Sequence, residues 1–190
     1  RDLAQENGHT AVLERLEGSS RTEGRQRQKQ SRELGHALLD AAQSGDCDAM
    51  GRLLDGGLDV NTLAETGHTH PETRQPIRTS ALFMAVSYDQ EAATRLLLDR
   101  GANPSLADSV GVTPLMGASG SLPLLTLLIE FKAEVNAVGR SGATALHDAC
   151  DRGNADCAEA LVRAGCDTSI RNRNGRTARD VAQRQGNTAV

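Results

Sequence analysis

The stretch from Thr144 to Gly175 alternates short apolar stripes with polar turns on a fixed plan. Thr144 places a hydroxyl where it can cap a short helix over Ala145–Arg152. Gly153-Asn154 supplies a turn. A second helix over Ala155–Ala164 carries Cys157, Ala158, Leu161 and Val162 on one face at helical spacing. Gly165 suits the left-handed residue that ends many helices, where a Cβ is penalised. Cys166–Asn174 then reads as an extended hairpin leading to Gly175.

This pattern repeats. The octet Gly142–Ala149 returns at Gly175–Ala182, 33 positions later, and an earlier copy occupies Gly111–Ala118. Self-similarity at that period marks a solenoid, whose units bury apolar surface only against their neighbours. It predicts a binding scaffold rather than a catalyst. An upstream unit runs from about Leu34 through Leu38, Ala41, Ala42, Gly45, Leu53 and Leu54 to Asn61. The next has Ser80–Ala85 at its helix start and Leu96–Leu98 in its second helix.

The spacing also has irregularities. Ala42 to Val86 is 44 positions, 11 beyond the period, and the surplus falls between Asn61 and Ser80. That enlarged hairpin, Thr62–Pro76, is polar with two prolines and is expected to project as a loop. Gly111 to Gly142 is only 31 positions, with the two missing residues in Ser119–Pro123, so Pro123 is predicted to open the following helix. Lys132 stands where other units have Gly101 and Gly165.

The two ends resemble each other, Arg1–Val12 matching Arg179–Val190, so the chain reads as cut from a longer polypeptide in mid-repeat at both ends. The resulting division is a partial repeat (1–18), a polar basic connector or long finger (19–33), repeats at 34–61, 62–106, 107–137 and 138–170, and a partial terminal repeat (171–190). Ala4 to Ala41 is 37 positions, so an unbroken stack and a linker between two arrays both remain open.

Thr113-Pro114-Leu115 and Thr144-Ala145-Leu146-His147 at helix starts resemble the ankyrin repeat. So do Gly101-Ala102-Asn103-Pro104, Ala133-Glu134-Val135-Asn136 and Leu58-Asp59-Val60-Asn61 in the hairpins. The resemblance covers most of the chain. It implies an all-α fold, a solenoid of stacked helix-turn-helix units with β-hairpin-like connecting loops. It further implies a non-enzymatic scaffold that binds a protein or peptide through a concave groove of hairpin tips and inner helices. The alternative is a spacer or regulatory segment within a larger multidomain enzyme or ubiquitin-ligase-type adaptor.

Composition agrees with this picture. Hydrophobic residues are 38% of the 190, aromatics only 2%, and Trp is absent, so Leu, Ala and Val must build the core. A net charge of −4 argues against a dedicated nucleic-acid binder. No apolar run is long enough to span a bilayer, so no membrane partner is expected. Cys47, Cys150, Cys157 and Cys166 lack metal-ligand spacing and read as free thiols of a reducing compartment, hence an intracellular location, cytoplasmic or nuclear.

No catalytic set emerges. His147, beside Asp148 and Asp151, takes the family's helix-start position, where the residue ties hairpin to helix. His68 and His70 with Glu65 and Glu72 define no metal cage. Gly117–Gly120 lacks the Lys of a phosphate loop. No cofactor, metal or small-molecule substrate is therefore expected. The basic run Arg21–Arg32 lacks the aromatic rings that stack on bases and reads as a solvated connector.

The resemblance places the groove at hairpin tips and at the residues before the inter-helix turn. Those positions are Ser87, Tyr88, Ser109, Val110, Val112, Arg140, Ser141, Asp151, Arg152, Arg173, Asn174 and Arg184. The arginines at the C-terminal end predict an acidic partner, since a guanidinium fork binds carboxylates bidentately. Tyr88, the one Tyr in the chain, is a candidate anchor.

Overall fold

The computed structural model describes residues 24–187. The chain divides into two units between residues 34 and 35. Of the first, residues 24–34 are helical and exposed throughout; the partial repeat expected at 1–18 and the first residues of the connector lie outside the described residues. Every position from 24 to 33 is polar or Gly, so this helix has no apolar face to bury.

The second unit is a run of helix pairs. Its helices are α1 (residues 35–44), α2 (Cys47–Asp55), α3 (Ala81–Ser87), α4 (Glu91–Asp99), α5 (Pro114–Gly117), α6 (Leu122–Glu130), α7 (Ala145–Arg152), α8 (Ala155–Arg163) and α9 (Ala178–Gln185). The inner helices α3, α5, α7 and α9 pack in succession, and the outer helices α2, α4, α6 and α8 do likewise. One continuous apolar core runs between the layers, from Leu38 and Met50 through Leu82, Leu97, Leu115, Leu125 and Leu128 to Leu146, Leu161 and Ala182. Each helix is too short to be stable alone, so packing must hold it.

Helix starts follow the sequence closely. The side chains of Ser80, Thr113 and Thr177 accept from the backbone N–H three residues on. At α7 the same turn is closed from the other side. The Thr144 N–H donates to His147 Nδ1 at 3.2 Å, so Nε2 carries the proton and donates to the Arg176 carbonyl at 3.0 Å. His147 thus ties its helix to the next hairpin.

The two irregular units resolve differently. The third inner helix is a single turn, Pro114–Gly117, followed by a 3-10 turn over Ala118–Gly120. Pro123 is the second residue of α6, as its spacing predicts. The enlarged hairpin forms a small antiparallel sheet, β1 (Ala64–Thr69) with β2 (Pro76–Thr79), pairing Ala64 with Thr79 and Glu65 with Arg78. Ala64 at its base is buried, and its methyl sits 3.0 Å from where a Cβ on Gly35 would stand. A side chain at position 35 would push this hairpin off α1.

Candidate functional site: the groove of hairpin tips

Successive hairpins turn tightly and dock onto one another. At the first, Asp108 Oδ1 accepts the N–H groups of Val110 and Val112, at 2.9 and 2.8 Å. Asn172 Oδ1 does the same for Asn174 and Arg176. The middle tip has Gly139 at this position, because a Cβ there would lie 3.2 Å from the Gly111 carbonyl oxygen.

Neighbouring tips are stitched by hydrogen bonds. The Ser109 N–H donates to the Arg78 carbonyl, and the Arg78 N–H to Ser109 Oγ. The Arg140 guanidinium donates to the Ser109 carbonyl at 2.6 Å, and the Arg173 N–H to the Ser141 carbonyl at 2.9 Å.

These contacts sort the candidate groove residues. Ser109, Arg140 and Ser141 join one tip to the next. Val112 packs against the core and Val110 is half-buried at its tip. Ser87 and Tyr88 close α3, with Tyr88 51% exposed. Asp151 accepts from Gln185 Nε2 at 2.7 Å. Arg152, Arg173 and Arg184 are exposed with no hydrogen-bonded or ion-paired side chain among the described residues, and Asn174 is exposed beside them. Arg171, in contrast, is engaged by the Gly175 carbonyl and by Asp180. The Asp180 carboxyl is held below its ordinary range, chiefly because it accepts the Thr177 N–H, with Arg171 adding to the effect.

Asp151, Asn174 and Arg184 line one cavity of about 200 Å³ between α7, α9 and the last tip. That cavity also holds Asp148 and Arg176, which the tip-and-turn pattern did not single out. The sequence alone does not mark the position: Met84, Gly117 and Val181 occupy it in α3, α5 and α9, but α1 has Asp40 there, which is exposed, so it is the partial burial of Asp148 that sets it apart. Burial lifts the Asp148 pKa to about 6; Arg152 and then His147 counter part of this, and Asp151 adds to it. No group of three or more potential metal ligands occurs among the described residues, and His70 Nδ1 accepts the Glu72 and Thr73 N–H groups.

A stack of helix pairs joined by stitched hairpins, with a polar flank at its tips, defines a helical-repeat module of the kind that presents an extended surface. Two descriptions of ankyrin repeats match the sequence, one of three copies over residues 38–139 and one of many copies over residues 128–182. The chain belongs to the ankyrin-repeat family.

It is 34% identical over 72% of its length to the B-cell lymphoma 3 protein homolog of Mus musculus, of which it spans 26%. It is 30% identical over 65% of its length to the putative ankyrin repeat protein YahD of Escherichia coli K12, of which it spans 57%. With the human SH3 and multiple ankyrin repeat domains protein 2 it shares 31% over 66% of its length, covering 7% of that protein. Ankyrin repeats are in general non-catalytic modules of protein–protein interaction. No helix among the described residues is long and apolar enough to cross a membrane.

Proposed function

We propose that the chain is a non-enzymatic scaffold that binds a protein or peptide along the groove of hairpin tips, with an acidic segment docking at its C-terminal end. The observation that carries this reading is the split among the arginines. Arg140 and Arg171 are used up within the fold, whereas the guanidinium groups of Arg152, Arg173 and Arg184 make no hydrogen bond or ion pair among the described residues. Free forks of this kind gain most from a carboxylate partner and give a salt-sensitive association. The four free thiols support an intracellular, reducing setting for the interaction.

Anisotropy titration of a fluorescent oligoglutamate peptide tests the reading. The double variant Arg173→Glu, Arg184→Glu should weaken binding at least tenfold. Arg163→Glu, on outer helix α8 where Arg163 pairs with Glu159, should change it little. Equal affinity for the groove variant and the unaltered chain would sink the proposal.

A second reading, a spacer or regulatory ankyrin segment of a larger protein, is supported by the small share of the B-cell lymphoma 3 relative that the chain spans. A native product migrating near 20.1 kDa on a blot would rule it out.

A further inference from the structure

The cavity between α7 and α9 contains an acid with no bonded partner among the described residues. Other carboxyls nearby are answered: Asp151 by Gln185, Asp180 by the Thr177 N–H, and Asp167 by Ser169. Asp148 is half-buried, yet among the described residues no donor hydrogen-bonds its carboxyl and no cation forms an ion pair with it, Arg152 and His147 acting on it only at longer range. Burying such a group without a partner costs stability; three other units have Met84, Gly117 or Val181 here, and Asp40, its counterpart in α1, is exposed to solvent. A half-buried carboxyl without a bonded partner, beside a cavity with room for one long side chain, is what a binding pocket looks like before its ligand arrives.

The charges around it narrow the ligand. On its own helix Asp148 is faced by His147, Asp151 and Arg152. Across the cavity stand Arg176 and Arg184, while α5 and its 3-10 turn bring no charged side chain. The floor is therefore acidic and the rim basic.

Resting on the groove reading above, we propose that this cavity seats the ammonium group of a lysine carried on an otherwise acidic segment of the partner. Asp148 is its counter-charge, and Arg173 and Arg184 hold the carboxylates on either side. The lysine stem lies along Val181 and the Ala143 backbone. A neutral Asp148 cannot serve, so a proton competes with the ligand as pH falls through about 6.

The test uses the full chain and two capped heptapeptides, each with six glutamates around a central lysine or a central norleucine. The lysine peptide should bind at least tenfold more tightly at pH 7.5. That advantage should vanish in Asp148→Asn, whose fold is checked by circular dichroism, and should shrink at pH 5. Equal binding of the two peptides, a lysine preference that survives Asp148→Asn, or binding of neither peptide would overturn the proposal. The norleucine peptide reports on the groove reading separately. If it binds and is lost in Arg173→Glu, Arg184→Glu, that reading stands even where the lysine seat fails; if only the lysine peptide binds, the converse holds.

Discussion

Two residues show what departs from the repeat and what it costs. Lys132 occupies the left-handed region, φ 64°, at the helix end where Gly101 and Gly165 have φ 84° and 83°. A Cβ in this conformation is strained, so Lys132→Gly should raise stability by about 1 kcal/mol, read as a higher urea midpoint at unchanged slope. A lower midpoint would mean that the Lys side chain contributes more than its backbone loses.

Asp148 departs in burial, since Asp40 at the same place in α1 is exposed. Because its pKa is about 6 in the fold against 3.8 when free, the folded chain holds the proton more tightly across that window. Its penalty is absent below about pH 3.8, grows as pH rises, and is complete above about 6. Asp148→Asn should therefore stabilise the chain at pH 7.5 by on the order of 3 kcal/mol at most, with the gain fading towards pH 4. A gain independent of pH would exclude this cause.

The position of Lys132 was legible from spacing, and the role of His147 from the resemblance of its helix start to the ankyrin repeat. The environment of Asp148 was not, because it depends on how far α9 and its tip close over α7.

Among the elements, the third pair distributes its apolar weight unevenly. Its inner helix is one turn long, while α6 buries Leu124, Leu125, Leu127 and Leu128. The outer layer therefore carries this unit. Leu128→Ala, at a fully buried site, should cost roughly 2–5 kcal/mol, whereas Leu122→Ala, at a site 38% exposed, should cost under about 1 kcal/mol. Thermal unfolding of both variants checks the contrast, and similar losses would refute it.

Helix positions and the shortened unit could be read from apolar spacing and from Pro123. The sheet of β1 and β2 could not, since Thr62–Pro76 has the composition of a loop and its pairing depends on a seat supplied by Gly35.

Across the whole second unit, the array is fastened along two lines. One follows the tips, from Arg78 through Ser109 and Arg140 to Ser141 and Arg173. The other follows the hairpin bases, where Asn61 accepts the Asn103 N–H, Ser105 that of Glu134, and Asn136 that of Asp167. The tip at Gly139 lacks the side-chain brace that Asp108 and Asn172 give theirs. Its Gly142 amide should accordingly exchange with solvent faster than those of Gly111 and Gly175, which hydrogen-exchange measurements can resolve. The hairpin tips were legible as a set of positions, but which arginines remain available depends on backbone carbonyls that no sequence pattern exposes.

Fastening along two parallel lines has a mechanical consequence. A joint held on one edge can hinge, but a joint held on both resists splaying, so the flank behaves like a ruler with fixed gradations. Whatever binds must do the bending, and a segment too short to reach from one graduation to the next will find no second foothold.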